Sequence, residues 1–218
     1  MPLATGPATW GPGLDLEPAI HYPEAMIRIN SGLYKGRVLR GGKSPLIRPT
    51  MSKVKLTFFD ILQTDVKEKI FLDGFAGSGN IGIEALSRGA EYVVFIDDLP
   101  EAARAIRHNA EKIGIAGDFF RVICGDFNRS IIALAKDGFQ FDLVYLDPPY
   151  AMLEYANPLK VIHKRNALKR EGLIVLERPE RIRFETPYFT RVRSQHIGRE
   201  CLDFFTYGDA VAGAVPPP

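Results

Sequence analysis

Cysteine, histidine and long apolar runs are all scarce in this chain, and each shortage excludes a class of protein. Two cysteines and four histidines occur among 218 residues, and neither type recurs at the spacing of metal ligands. We therefore predict no metal site, and we expect Cys124 and Cys201 to be reduced core residues. No apolar run approaches the roughly 18–20 residues that cross a bilayer, and the amino terminus lacks the pattern of a secretion signal. These absences favour a cytoplasmic protein outside the membrane.

An excess of one charge is missing from the chain as a whole but present in one segment. The net charge is only +2, whereas residues 26–55 contain eight basic side chains and no acidic one. Such a segment is typical of a surface that binds a polyanion such as a nucleic acid, although a solvated polar face can have the same composition. The basic residues are Arg28, Lys35, Arg37, Arg40, Lys43, Arg48, Lys53 and Lys55.

Changes in composition and periodicity divide the chain into four regions. Residues 1–24 and 208–218 are rich in small residues and proline, and we expect both tails to be disordered. Residues 25–66 contain two short alternating runs, which predict a hairpin, followed by a helix near 52–64. This extension is too small to bury a core of its own, so it should pack against the main domain, residues 67–207.

Regular alternation of strands and helices begins at Ile70 and predicts a doubly wound α/β sheet with right-handed crossovers. The strands are expected near 70–74, 92–97, 119–124, 141–146, 171–177, 189–197 and 200–206, and the helices near 79–88, 100–114, 127–136 and 155–170. Seven strands that end in an antiparallel pair resemble the methyltransferase variant of the Rossmann sheet, so this topology is inferred partly by analogy.

The most informative motif is Asp147-Pro148-Pro149-Tyr150, which follows an apolar run expected to be a buried strand. Ligands of open α/β sheets bind at the carboxyl ends of the strands. Two consecutive prolines make the loop stiff, so the Asp147 side chain and the Pro148 carbonyl can accept both hydrogens of one amino group. Tyr150 can then stack on the ring that carries this amine. The motif predicts a clamp for the exocyclic amine of a planar base, although a proline-rich turn can have the same sequence.

A glycine-rich turn follows the first long strand and matches the G-x-G-x-x-G pattern of a nucleotide-binding loop. Gly77, Gly79 and Gly82 supply the pattern, and Asp97 ends the next strand, where it can accept hydrogen bonds from ribose hydroxyls. By this spacing alone, a nicotinamide dinucleotide is an open alternative. Asp73 argues against it, because a carboxylate beside the loop repels a pyrophosphate but attracts an ammonium group, such as that of S-adenosylmethionine.

Further candidate contacts to S-adenosylmethionine come from the next strand end. Asp126 can accept a hydrogen bond from an adenine amine and Phe127 can pack on the adenine ring, although Asp126 is also a good helix cap. Three acids at three successive strand ends, together with the glycine loop, favour this cofactor. The predicted cofactor-binding residues are Asp73, Phe75, Ala76, Gly77, Ser78, Gly79, Asp97, Asp126 and Phe127.

Several segments of the chain, taken together, resemble one family. Residues 73–90 read Asp-x-Phe-Ala-Gly-Ser-Gly-x-x-Gly-Ile-Glu-Ala-Leu-Ser-Arg-Gly-Ala, and residues 28–39 read Arg-Ile-x-x-Gly-x-x-Lys-Gly-Arg-x-Leu. With the Asp-Pro-Pro-Tyr motif and the ending 197–205, they resemble the bacterial 16S ribosomal RNA (guanine-N2)-methyltransferase family. The likeness spans about residues 26–206. It implies a Rossmann-like class I S-adenosylmethionine-dependent methyltransferase with a small hairpin-and-helix extension.

The resemblance also implies a reaction and a partner. The reaction is methyl transfer to the exocyclic N2 amine of a guanine in small-subunit RNA. Asp147, Pro148 and Tyr150 would hold the flipped base, and the basic residues of 26–55 would bind phosphates. The expected partner is ribosomal RNA or the small ribosomal subunit, and nothing in the sequence requires more than a monomer. Two alternatives stay open: an amino-methyltransferase acting on N6 of adenine in DNA or RNA, and a catalytically silent RNA-binding protein of the same fold.

Overall fold

Strands and helices alternate through the part of the chain that this computed structural model describes, residues 26–41, 49–149, 152 and 158–208. The strands are β1 (Met26–Arg28), β2 (Val38–Arg40), β3 (Ile70–Gly74), β4 (Tyr92–Asp97), β5 (Phe120–Cys124), β6 (Phe141–Leu146), β7 (Leu168–Pro179), β8 (Thr190–Ile197) and β9 (Glu200–Thr206). The helices are α1 (Pro49–Leu62), α2 (Asn80–Ser87), α3 (Pro100–Ile113), α4 (Phe127–Lys136) and α5 (Pro158–Lys164). Our predictions for residues 1–25 and 209–218, Lys43, Arg48 and Tyr150 lie outside the described residues, as do the side chains of residues 49–51.

Strands β3 to β9 form one sheet in the order β5-β4-β3-β6-β7-β9-β8. Neighbouring strands from β5 to β7 run parallel, whereas β9 is antiparallel to both β7 and β8. The predicted seven-stranded, mainly parallel sheet with a final antiparallel pair is therefore confirmed. The chain runs from β3 outward through β4 to β5 and then returns to the other side of β3 as β6. This reversal opens a crevice at the carboxyl ends of β3, β4 and β6, where ligands of such sheets bind.

Both faces of the sheet are covered, which explains why its central strands are apolar throughout instead of alternating. One core cluster contains Phe58 of α1 together with Phe71, Phe95, Tyr145 and Phe204 from the strands. The second core cluster lies on the opposite face and is built from α4, α5 and the alternate strand residues. Its members include Leu72, Phe127, Phe141, Ile174 and Phe205.

The amino-terminal extension docks on α2 of the main domain, as its small size predicted. The buried Glu84 carboxylate accepts hydrogen bonds from the backbone N–H groups of Asn30 and Ser31, at 2.8 and 2.9 Å. Gly32 has a φ of +80°, and a Cβ there would lie 1.7 Å from the Ser87 carbonyl oxygen. A glycine is therefore required at this contact, both for the backbone angle and for the close approach.

Two predictions about local structure are wrong. The helix expected over 155–170 ends at Lys164, and residues 168–170 belong to β7. Asn166 has a φ of +51° and the Ala167 N–H donates to the Ile162 carbonyl, a left-handed helix end that asparagine tolerates well. Cys124 is exposed, not buried, because β5 is the outer strand of the sheet and Cys124 is its last residue. Cys201 is buried as expected.

Among the described residues, none of the helices combines the length and the apolar character needed to cross a bilayer. The same residues contain no group of three or more His, Cys, Asp or Glu side chains arranged to hold a metal ion.

Candidate active site

A cavity of about 110 Å3 opens at the carboxyl edge of the sheet and is lined by six of the predicted site residues, Asp73, Phe75, Ala76, Gly77, Ser78 and Asp147. Its lining comprises Val54, Asp73, Phe75, Ala76, Gly77, Ser78, Asn80, Ile81, Tyr145, Asp147 and Glu177. A larger cavity of about 430 Å3 lies at the opposite edge, near Asp142. There the Asp142 carboxylate already pairs with Lys69 and Lys169. We therefore place the candidate site in the smaller cavity, where strand ends and glycine loop meet.

The glycine loop turns sharply between β3 and α2. Phe75, Gly77 and Gly79 all have positive φ angles, and the N–H groups of Phe75 and Ala76 both donate to the Ile96 carbonyl. Gly82 lies in α2 against β4, where a Cβ would come 2.3 Å from a ring carbon of Phe95. This glycine lets the helix approach the sheet closely, and Asn80 and Ile81 of its first turn line the cavity.

Asp73 is a buried carboxylate on β3 at the base of the cavity. The residue is only 2% exposed, and its Oδ2 accepts a hydrogen bond of 2.8 Å from the Gly82 N–H. Burial, and to a smaller extent the charges of Asp147 and Asp97, raise its pKa to about 8, against the opposing effect of the Gly82 hydrogen bond. A cation placed in the cavity would compensate this charge, which fits an ammonium group.

Asp97 ends β4 and is held by two backbone hydrogen bonds. Oδ2 accepts from the Gly77 N–H at 2.8 Å, across 20 residues of chain, and Oδ1 accepts from the Leu99 N–H at 3.0 Å. Each carboxylate oxygen can accept more than one hydrogen bond. Asp97 therefore stabilises the loop and can still receive the hydroxyls of a ribose.

The neighbouring residues Asp126 and Phe127 differ in their exposure to solvent. Asp126 is exposed and caps α4, since its Oδ1 accepts from the Arg129 N–H at 2.9 Å. Its second oxygen is left for an outside donor such as an amine. Phe127 is only 3% exposed and its ring stacks on Phe75, with centroids 4.8 Å apart. Gly74 makes room for it, because a Cβ at Gly74 would lie 2.8 Å from the Phe127 ring. Phe75, which lines the cavity, is thus the ring available to a ligand, and Phe127 supports it from the core.

Asp147 follows β6 and stands at the rim of the cavity beside two other polar residues. The strand register pairs Leu146 with Leu176, which places Asp147 next to Glu177 on β7. The Tyr145 hydroxyl donates a hydrogen bond to Oε2 of Glu177. Although Asp147 reaches solvent at its outer side, desolvation and the nearby Glu200 raise its pKa to about 6. Desolvation and Asp147 raise the pKa of Glu177 to about 8.

The sequence reasoning missed Tyr145 and Glu177, although a signal for one of them was available. Glu177 is an acid that ends an apolar strand run, which is the same signal that identified Asp73, Asp97, Asp126 and Asp147. Tyr145 gave no such signal, since an aromatic residue in a strand is most often part of the core. Only the folded chain places its hydroxyl against Glu177.

The predicted basic surface is partly present. Arg28, Lys35, Arg37, Arg40 and Lys53 are all exposed. Lys55 requires a correction, because it is only 2% exposed and its ammonium lies 3.1 Å from the Glu84 carboxylate. The same ammonium donates to the Arg28 carbonyl at 2.8 Å and to Asn80 Oδ1 at 2.9 Å. Lys55 is a buried structural cation that ties β1, α1 and α2 together, so it is not placed to bind phosphate.

Comparison with known proteins identifies relatives over the same part of the chain. A family model described as conserved hypothetical protein 95 matches residues 27–206. Ribosomal RNA small subunit methyltransferase D of Haemophilus influenzae is 34% identical over 154 residues, which cover 69% of this chain and 78% of the relative.

Solved structures share the fold. A hypothetical protein of Thermus thermophilus matches with a TM-score of 0.70 and 25% identity, over 83% of this chain and 99% of that one. An RNA methyltransferase of Salinibacter ruber matches with a TM-score of 0.57 and 18% identity, over 78% of this chain and 100% of that one. At that identity the second likeness concerns the fold alone.

Proposed function

The chain belongs to the family described as conserved hypothetical protein 95, and from this premise we propose that it is an S-adenosylmethionine-dependent methyltransferase. Its substrate is the exocyclic N2 amine of a guanine in the 16S RNA of the small ribosomal subunit. The observation that carries the proposal is a single cavity in which Asp147 of the amine clamp lies beside Asp73 and the glycine loop. The relative that is named as a small-subunit ribosomal RNA methyltransferase supports the choice of substrate.

The charges of the cavity suit S-adenosylmethionine, which supplies an electrophilic methyl group on a sulfonium when it is bound. Asp73 is buried without a cationic partner among the described residues, so it can hold the ammonium of the methionine part. Asp97 receives the ribose hydroxyls, Phe75 contacts the adenine ring, and the free oxygen of Asp126 accepts its amine. A dinucleotide fits less well, because Asp73 would face a pyrophosphate.

The clamp acts mainly by positioning the amine. Its nitrogen is a poor nucleophile, because the lone pair is delocalised into the guanine ring. Asp147 and the Pro148 carbonyl accept its two hydrogens, which favours a pyramidal nitrogen whose lone pair points at the methyl group. As the bond from nitrogen to the methyl carbon forms, the carbon–sulfur bond would break and its electron pair would return to sulfur. Asp147 is placed to accept the proton that the cationic nitrogen then loses. Orienting the two reactants accounts for most of the rate enhancement, and Tyr150 remains our proposed stacking residue.

RNA approaches over the amino-terminal extension. Val54 of α1 lines the cavity, while Lys53, the residue before it, is exposed. The basic surface therefore begins at the rim of the site, where phosphates flanking a flipped guanine can be held. We also propose that a monomer suffices and that the protein works in the cytoplasm, where ribosomes are assembled.

The decisive experiment offers labelled S-adenosylmethionine with small ribosomal subunits, naked 16S RNA and DNA as separate acceptors, and identifies the modified base by mass spectrometry. We expect N2-methylguanine in ribosomal RNA. Asp147→Ala should bind the cofactor normally in isothermal titration yet transfer almost no methyl groups. Label on adenine N6, or in DNA only, would assign the chain to another amino-methyltransferase. Cofactor binding without any transfer would favour a silent RNA-binding protein.

A further inference from the structure

Glu177 is a carboxylate of the cavity to which the proposed reaction assigns no role. It lies on β7 directly beside Asp147, since Leu146 pairs with Leu176 one position earlier. Adjacent strands are about 4.8 Å apart, and Asp147 and Glu177 both line the cavity. Two carboxylates thus stand side by side at the place where the clamp holds an amine.

Glu177 is held in one orientation by a buried neighbour. The Tyr145 hydroxyl donates to Oε2 of Glu177, and Tyr145 itself is only 2% exposed. The Tyr145 ring packs against Phe58, with centroids 4.8 Å apart. Because this donor is held by packing, its hydrogen bond to Oε2 restricts the orientation of Glu177, which lines the cavity.

The base that presents its amine to Asp147 presents a second group to Glu177. In guanine the N2 amine is flanked by N1–H, a hydrogen-bond donor. In adenine the atom N1 beside the N6 amine is an acceptor with a lone pair. The pKa of Glu177 is raised to about 8, so the group is a carboxylate above that pH. In this form it attracts the N1–H donor and repels the N1 acceptor, which favours guanine.

We propose that Glu177 is a specificity-determining residue that accepts the N1–H of the target guanine, next to the N2 amine held by Asp147. This inference rests on the proposed function and refines it to the recognition of the base. A site built to pair a buried acceptor with a substrate N–H rejects analogues that lack this N–H, because the acceptor is then left unpaired.

The test uses 2-aminopurine, which keeps the 2-amino group but has an acceptor at N1. RNA carrying guanine or 2-aminopurine at the methylated position is assayed with the wild-type protein and with Glu177→Gln, at a pH above 8 where Glu177 is ionised. We expect the wild type to prefer guanine by about 100-fold in kcat/KM. Glutamine can donate its amide N–H to an N1 acceptor, so the preference should fall by about 10-fold or more in the variant.

Controls separate this role from a structural one. Cofactor binding by Glu177→Gln, measured by titration, should match that of the wild type. Tyr145→Phe keeps the packed ring but removes the hydroxyl that orients Glu177, and it should lower the preference for guanine by a smaller factor. It also serves as the test if Glu177→Gln does not fold.

Three outcomes would count against the inference. An unchanged guanine preference in a folded Glu177→Gln that still transfers methyl groups overturns it while leaving the proposed function intact. An unchanged preference in Tyr145→Phe overturns it where that variant stands in. A wild-type protein that transfers no methyl group to guanine overturns the proposed function, and the inference falls with it.

Discussion

At the scale of single residues, the site is defined by carboxylates whose charge is costly in the absence of a ligand. Asp73 is buried with one hydrogen bond, and Asp147 and Glu177 lie side by side. Such groups are common at functional sites, where burial and like charges raise the pKa of an acid. The ligands proposed for this cavity bring the donors and the positive charge that these acids lack.

Asp73→Asn is expected to weaken cofactor binding and to stabilise the ligand-free protein. Burial raises the pKa of Asp73 from 3.8 to about 8, so between about pH 4 and about pH 8 this carboxyl is ionised in the unfolded chain but protonated in the fold. The free energy of unfolding therefore falls as pH rises through this range. Asparagine keeps an oxygen for the Gly82 N–H but has no charge. Thermal melting should therefore show a gain of a few degrees at pH 8, with each kcal/mol worth about 2–4 °C, and no gain near pH 4.

Cofactor titration and thermal melting together test the role of Asp73. A variant that loses cofactor affinity in titration and also melts lower at pH 8 would contradict the role given to Asp73. The wild type should also bind S-adenosylmethionine more tightly as pH rises toward about 8, because the ionised carboxylate is the form that pairs with an ammonium.

The pH dependence of methyl transfer should report Asp147. Desolvation and Glu200 raise its pKa to about 6, and the surrounding acids are Glu177 on β7 and Asp73 on β3. The ionised form is needed to hold the amine and to take its proton, so kcat/KM for RNA at saturating cofactor should rise with pH through about 6. Ionisation of Glu177 should add a further rise through about 8. Steady-state rates from pH 5 to 9 measure this, and a profile that is flat between pH 5 and 7 would speak against the assignment.

At the scale of elements, the basic extension is a docked part of the main domain. Glu84 of α2 receives two backbone N–H groups of the extension and the Lys55 ammonium, and it also pairs with Arg88. Asn109 of α3 accepts from the Arg40 N–H and donates to the carbonyls of Arg40 and Ser78. The hairpin is thereby connected to the helix that begins at the glycine loop and to the loop itself.

Lys55→Met should destabilise the protein without changing how RNA affinity depends on salt. Removing one partner of a buried ion pair costs up to about 3–5 kcal/mol, although Glu84 keeps its other donors. Chemical denaturation should show this reduced stability, and the double variant with Glu84→Gln should recover part of it. Lys53→Met is the matched control, since Lys53 is exposed on the same helix and should leave stability unchanged within about 0.5 kcal/mol.

Gly32→Ala should release the hairpin from α2. A Cβ at Gly32 would lie 1.7 Å from the Ser87 carbonyl, and the φ of +80° is unfavourable for alanine. Gly36→Ala is a well-matched control, because Gly36 has a φ of +85° but no atom within 4 Å of a Cβ. Methyl transfer to RNA should fall by about 10-fold or more in Gly32→Ala alone, because a displaced hairpin no longer holds the RNA phosphates. Cofactor affinity should be equal in both variants.

At the scale of the whole molecule, the two edges of the sheet differ in the basic side chains that they carry. The extension carries exposed basic residues and contributes Val54 to the cavity, whereas at the opposite edge Lys69 and Lys169 pair with Asp142. RNA is therefore expected to approach from one side only, although the net charge of the chain is just +2.

RNA affinity should fall steeply as the salt concentration rises, and the basic residues of the extension should account for this dependence. The double variant Lys35→Ala and Arg37→Ala is expected to reduce the slope of log K against log salt by about 0.7–0.9 for each phosphate that the protein no longer neutralises. Lys136→Ala, at the far end of α4, should leave it unchanged. Filter binding to 16S RNA at several salt concentrations measures the slopes, and equal slopes in all three proteins would exclude this RNA surface.

Local patterns were enough to predict most of the elements, and where they failed the cause can be identified. The βα alternation and the G-x-G-x-x-G turn depend on periodicity and on neighbouring residues, so the sheet and the glycine loop were predictable. The boundary between α5 and β7 was not, because basic residues suit an exposed helix and an exposed strand equally. Asn166 was the available signal, since a left-handed residue ends a helix.

The sheet, the glycine loop and the acids that end the strands could be predicted from the amino-acid sequence, because strand ends and turns depend on neighbouring residues. The sequence also shows that a basic segment precedes the main domain. Which of these charged side chains are buried could be known from the folded chain alone, because burial depends on contacts between distant parts of the chain. In the fold, Lys55 is the buried partner of Glu84 and not an RNA contact. Glu177 lies beside Asp147 and accepts a hydrogen bond from the Tyr145 hydroxyl.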